Sequence, residues 1–183
     1  MAHPGTAVRK IRRRKSRERS LLQQFCQWLY DSAIGTDIRE SIWVFPIIET
    51  VHVLAMALLA GTIAIFDLRL LGLTLKREPV SRLASQILPL TWTGFAVMFV
   101  SGFLLFWSEA AKSYANPAFR IKLLLLALAG LNPLIFHFTI YRSVTEWNAR
   151  IVTPLRARLA AASSLTLWAG IICAGRAIAY FQK

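Results

Sequence analysis

The sequence contains little that marks a soluble enzyme. Only 9 of its 183 residues are acidic, and only two are cysteine, Cys26 and Cys173. Two cysteines cannot build a disulfide framework, and Cys173 lies in an apolar run, so we expect two free thiols. The sequence has no Gly-rich phosphate loop, no Cys-x-x-Cys pair and no set of residues typical of a catalytic nucleophile. These absences exclude a disulfide-rich secreted module and leave no recognised motif for enzyme chemistry.

What the sequence has in excess is apolar residues. Hydrophobic residues make up 56% of the chain and charged residues 17%, with a mean hydropathy of +0.49. An average soluble domain has roughly 45–50% apolar and about 25% charged residues. A soluble fold of this composition would expose much of its apolar surface to water, and a disordered chain or a coiled coil is excluded as well. The composition therefore predicts an integral membrane protein of one domain.

Four long apolar stretches follow Ser41, and each has the ~20 residues that are needed to cross ~30 Å of hydrocarbon. The sequence predicts spans at about 44–72, 84–107, 119–141 and 159–181, within a membrane domain of residues 42–183. The predicted fold class is all-α, an integral membrane four-helix bundle in up-down order. Pro89 and Pro133 lie inside spans and predict kinks.

The N-terminal region is polar and strongly basic. Eight of the 22 basic residues lie between Arg9 and Arg19, where Glu18 is the only acid. Because no aromatic residues are interleaved with these charges, we expect residues 1–20 to be a disordered tail near anionic lipid headgroups, and no nucleic-acid partner. Residues 21–36 place Phe25 and Trp28 among other apolar residues at helical spacing, which predicts an amphipathic helix in the membrane interface.

The charges also bear on sidedness. We define side A as the face with the N-terminus, the second loop and the C-terminus, and side B as the opposite face. The basic tail places side A in the cytoplasm, although the short loops of side B carry more Lys and Arg than those of side A. We predict a multi-pass protein of the bacterial inner membrane with a cytoplasmic N-terminus.

Ionisable residues inside spans are rare and usually functional. At about 1.5 Å per residue, four of them fall in one layer of the side-A half: Glu49, His52, Lys122 and Arg176. Gly102, at the same depth in the second span, leaves room for close approach. This layer predicts a cofactor or metal site. Two structural alternatives stay open, an ion pair between Glu49 and Lys122 or Arg176, and a His52 that is bonded to a backbone carbonyl.

The third histidine of the sequence belongs to a different layer. His137 lies roughly 19 Å in depth from His52, which disfavours these two residues as the axial ligands of one haem. Its depth matches that of Asp67 and Arg69, so a second polar site is predicted from His137, Asp67 and Arg69 in the side-B half.

Three stretches carry a resemblance to known families. They are SIWVFPIIETVHVLAMALLAGTIAIFDLRLLGL at 41–73, ANPAFRIKLLLLALAGLNPLIFH at 115–137 and AGRAIAYF at 174–181. From about Trp28 onward the chain resembles an uncharacterised family of bacterial four-helix membrane proteins, catalogued as a domain of unknown function. More distantly it resembles the HemJ-type protoporphyrinogen oxidases, which bind b-type haem, and the CopD-type copper-resistance membrane domain. The HemJ resemblance implies His52 and Lys122 as haem ligands.

The sequence hypothesis is a membrane protein that holds b-type haem for electron transfer or porphyrin-linked redox chemistry. His52 and Lys122 would be the axial ligands, and Lys122 must then be neutral. Arg176 would pair with a propionate, and Glu49 would orient His52 or relay protons. Whether the protein is an enzyme stays open.

Two alternatives to haem binding remain. One is copper transport or a copper-accessory function of the CopD kind, with Glu49, His52 and Met56 as metal-binding residues. The other is a non-catalytic membrane subunit. Expected partners are the lipid bilayer, a redox or membrane-protein partner, and a second copy of the chain.

Overall fold

The computed structural model describes residues 21–148 and 153–181, so the predicted basic tail, residues 1–20, lies outside the described residues. The described chain is helical and contains no β-strand. Its short helices are α1 (21–31), α2 (Ala33–Glu40), α5 (Ala110–Ala115) and α7 (Val144–Trp147). Its long helices are α3 (Val44–Leu70), α4 (Val80–Ser108), α6 (Pro117–Ile135) and α8 (Leu155–Ala177).

Four helices are long and apolar enough to cross a membrane, and they cover Val44–Leu70, Val80–Ser108, Pro117–Thr139 and Leu155–Phe181. The predicted all-α membrane bundle is therefore confirmed. Two of these helices begin four residues earlier than the hydropathy predicts, directly after Pro79 and Pro154. A proline with its fixed φ suits a helix start. The first turn of α4 contains Arg82 and the first turn of α8 contains Arg156. Because these charged residues lower the local hydropathy, the hydropathy pattern places each helix start too late.

The four long helices pack in a curved row. Helix α3 packs along α4, α6 packs along α8, and contacts between α3 and α8 join the two pairs. At Gly94 the α3–α4 contact is so close that an added Cβ would lie 3.2 Å from the backbone nitrogen of Leu59. Helices α4 and α6 end the row and meet through the stacked rings of Phe106 and Phe119, 5.6 Å apart. The two end helices of the row are thus joined by an aromatic contact.

The outer faces of the long helices are apolar. Leu54, Phe99 and Leu124 each have more than 60% of their surface exposed, like many of their neighbours. An exposed apolar surface of this extent is stable in hydrocarbon and not in water. The chain is therefore a multi-pass membrane protein with the bilayer as its surroundings.

Proline affects the two helices that contain it differently. Helix α4 continues through Pro89 without a break. Helix α6 passes into a π-helical segment, Phe136–Ile140, three residues after Pro133. Proline cannot donate the hydrogen bond that an ordinary helix residue makes, and a π-turn is one way in which a helix relaxes nearby.

The predicted amphipathic segment 21–36 contains a break between two helices. The Ser32 hydroxyl donates to the carbonyl of Leu29 and accepts from the N–H of Gly35, which ends α1 and caps α2. This side-chain competition for backbone groups is typical of serine. Arg39 then donates to the carbonyls of Tyr30 and Ser108, which ties both short helices to the end of α4.

The reactivity of the Cys26 thiol reports whether α1 is packed against α5. Its side chain is buried with Leu29 against Ala110 of α5, and this burial raises the pKa of the Cys26 thiol. Because the thiolate is the reactive form, we expect slow labelling of Cys26 by a water-soluble maleimide in a Cys173→Ser background. Ala110→Trp would place a bulky side chain against α1 and displace this helix, so labelling of Cys26 should become several-fold faster. Rapid labelling of Cys26 without that change would contradict the docking.

Candidate functional site

His52 projects from α3 onto the backbone of α4. Its side chain is half-buried, and its Nδ1 lies 3.0 Å from the Oγ of Ser101. A Cβ added at Gly102 would lie only 3.0 Å from Cε1 of the His52 ring. Any larger residue at position 102 would therefore displace the imidazole. The ring occupies space that only glycine leaves on this face of α4.

The hydrogen bonds of Ser101 predict which His52 nitrogen carries the proton. The Ser101 hydroxyl donates to the carbonyl of Val97 at 2.6 Å. A hydroxyl has one proton to donate, so towards His52 it acts as an acceptor, and Nδ1 carries the hydrogen. The Nε2 lone pair of the neutral ring is then free to bind a metal. Metal-binding histidines are commonly held in this way by a hydrogen bond from their other nitrogen.

Lys122 reaches the same interior from α6. Its side chain is half-buried and lies along α8, with Nζ 3.6 Å from the position of a Cβ added at Gly175. The structure thus places Gly102 against His52 and Gly175 against Lys122. His52 and Gly102 belong to the layer that the sequence predicts, as does Lys122, and Gly175 is added to it.

No hydrogen-bond or ion-pair partner of the Lys122 ammonium is found among the described residues. The ion pairs in this part of the chain are Arg82–Glu78 at 3.8 Å and Lys112–Glu109 at 2.8 Å, both near helix ends. A partly buried cation without a partner is costly in a membrane domain. Lys122 is therefore a candidate ligand-binding residue of the described chain.

The two other members of the predicted layer, Glu49 and Arg176, are exposed. Within the described chain no ion pair links Glu49 to Lys122 or to Arg176. Glu49 is one turn from His52 on α3, and Arg176 directly follows Gly175 on α8.

A metal site made only of protein side chains finds no support in the described chain. No group of three or more His, Cys, Asp and Glu residues comes together there. Met56, one turn after His52, is half-buried and is the one thioether that the sequence places beside the imidazole. The described contacts of His52 are with Ser101 and Gly102 of α4.

The predicted second polar site is divided by the structure. His137 is exposed and stacks on Tyr141, with 5.7 Å between the ring centres. Asp67 and Arg69 are buried, and Arg69 donates from Nε to the carbonyl of Glu78 in the following loop. The buried pair and the exposed histidine thus have different surroundings.

Sequence reasoning missed three residues that complete these sites. Ser101 contacts His52, Gly175 lies against Lys122, and Ser164 of α8 hydrogen bonds to Asp67. The Ser-Gly pair at 101–102 was the available signal, because it lies at the depth of His52 on a helix that is otherwise apolar. Ser164 and Gly175 gave no signal, since small residues are frequent in all membrane helices.

The tautomer of His52 can be measured without any cofactor. In protein labelled with ¹⁵N-histidine, in lipid nanodiscs, we expect the His52 resonances of a protonated Nδ1 and an unprotonated Nε2. Ser101→Ala should remove this preference because it removes the acceptor of the Nδ1 proton. Ser85→Ala, at an exposed position of the same helix, is the matched control and should change nothing. A protonated Nε2 in the unmodified protein would contradict the assignment.

The comparisons with known proteins give one match. No curated protein and no solved structure matches the chain. The resemblance to the HemJ and CopD types therefore stays a prediction. A model of a family of unknown function matches residues 26–181, which include all four spanning helices and every residue of the site. The predicted relation to an uncharacterised family is confirmed, and the chain belongs to the Family of unknown function (DUF6644).

Proposed function

We propose that this membrane protein binds one b-type haem between His52 and Lys122 and serves electron transfer or porphyrin-linked redox chemistry. The observations that support the proposal are an imidazole held against α4 at Ser101 and Gly102, and a half-buried amine that has no partner among the described residues. The two donors come from α3 and α6, which do not adjoin in the row of helices.

The donor set suits haem better than a bare metal ion. The porphyrin itself supplies four nitrogen ligands to iron, so the protein needs to supply only the axial ones. Imidazole is the commonest axial ligand in proteins. The lack of a larger His, Cys, Asp and Glu cluster in the described chain therefore does not count against haem. The two donor side chains lie against the backbones of α4 and α8, at Gly102 and Gly175.

Each residue of the site has a defined task in this proposal. His52 would bind iron through Nε2, while Ser101 holds the ring by Nδ1. Lys122 can donate its lone pair only as a neutral amine, and no carboxylate of the described chain pairs with it to keep it charged. Arg176 and Glu49, at the outer face of the same layer, remain candidates for propionate binding and proton relay. Bound haem would supply one-electron chemistry at its iron.

The proposed location is the bacterial inner membrane, with the haem in the side-A half of the bundle. The basic tail at residues 9–19 supports a cytoplasmic side A. An electron partner would then reach the haem from the cytoplasmic leaflet or laterally within the membrane.

The proposal is tested by optical spectra of the purified protein after haem supplementation. We expect a Soret band and a low-spin reduced spectrum that is typical of two strong axial ligands. His52→Ala should remove most of the bound haem. Lys122→Leu should retain haem but convert it to a five-coordinate, high-spin form, because one axial ligand is lost.

His137→Ala is the matched control, since it removes an exposed histidine and should leave the spectrum unchanged. Absence of a Soret band in the unmodified protein would overturn the proposal. Copper binding in detergent that is lost in His52→Ala, with no haem bound, would favour the CopD-like function instead. Unchanged spectra in both ligand variants would place the haem elsewhere.

A further inference from the structure

Asp67 is a carboxyl group inside a spanning helix that the proposed haem site does not use. It lies one turn before the end of α3, and its side chain is only 5% exposed. Its Oδ2 is buried and has no hydrogen-bond partner among the described residues. Ser164, buried on α8, hydrogen bonds to the carboxyl group. An acid is thus enclosed between two packed helices with part of its hydrogen-bonding capacity unused.

Charged groups near this end of α3 lie on α3, in the following loop and on α4 and α8. On α3 itself, Arg69 is buried two residues from Asp67 and donates to the carbonyl of Glu78. In the loop and on α4, the Glu78 carboxylate lies 3.8 Å from Arg82, and both side chains are exposed. On α8, Arg156 and Arg158 are exposed. Among the described residues around Asp67, Ser164 is the side-chain hydrogen-bond partner of its carboxyl group.

These surroundings restrict what the carboxyl group can bind. An ionised carboxylate that is buried without a counter-charge is very costly, and such groups take up a proton instead. A hard cation such as Ca²⁺ or Mg²⁺ needs about six or more oxygen ligands. The described chain offers the Asp67 carboxyl and one serine hydroxyl, which is far too few. A proton needs only the carboxylate oxygen.

We propose that Asp67 is a proton-binding site of the membrane domain, with Ser164 as its hydrogen-bond partner. Asp67 is 15 residues from His52 along α3, or about 22 Å at the rise of an α-helix. The proton site therefore lies in the side-B half and is structurally separate from the proposed haem site. It does not depend on haem binding.

The test is infrared spectroscopy of the full chain in lipid nanodiscs, without added haem. A protonated carboxyl group has a C=O stretch that is separate from the bands of ionised carboxylates. We expect such a band near neutral pH, its loss in Asp67→Asn, and its disappearance on titration to alkaline pH. Asp37→Asn, an exposed acid on α2, is the matched control and should leave the band intact.

Ser164→Ala keeps the acid and removes its partner, so the band should shift to higher frequency as the hydrogen bond is lost. This variant also decides the matter if Asp67→Asn fails to fold. The absence of a protonated-carboxyl band in the unmodified protein would overturn the proposal. So would a band that stays unchanged in Ser164→Ala. Because haem is absent throughout, failure of the haem proposal would not alter these outcomes.

Discussion

The absence of water in the hydrocarbon core is the constraint on which this structure depends. Every backbone polar group in a span must be satisfied within the protein, which is why all four spans are helices. Polar side chains follow the same rule. Thr91 bonds to Thr62 between α4 and α3, and Asn132 bonds to the carbonyl of Ala160 between α6 and α8. A polar side chain in a span that has no partner among the described residues departs from this pattern and is a candidate to bind a ligand.

The geometry at His52 follows from how closely α3 and α4 approach. Gly94 lets the two backbones meet, and Ser101 lies seven residues later, which is about two turns and therefore on the same face. The hydroxyl of Ser101 is thus brought within 3.0 Å of the imidazole by a contact made elsewhere along the helix. Gly102, which has no side chain, then leaves space for the His52 ring against α4. Small residues here determine the orientation of a large one, as they do in many membrane helix pairs.

The relative position of His52 and Gly102 along α3 and α4 was predictable from sequence, and the two residues are in contact, whereas the rotation of the helices about their axes was not. A helix rises by a nearly constant amount per residue, so counting from the predicted centres placed His52 and Lys122 in one layer. Rotation about the helix axis depends on packing against neighbours, and the apolar residues surround these helices on all sides. Glu49 and Arg176 share the layer but face outward, and His137 lies on the outer surface. The helix starts at Pro79 and Pro154 were missed because charged first turns resemble loops.

The separation of the basic and acidic groups is itself informative. If the carboxyl group of Asp67 lay at the depth of Lys122, the two would form an ion pair, and each would satisfy the other. Removing opposite charges from water favours their pairing wherever they can meet. About four helical turns along α3 keep them apart. In the two proposals, the amine would therefore bind a ligand on side A and the carboxyl group would bind a proton on side B.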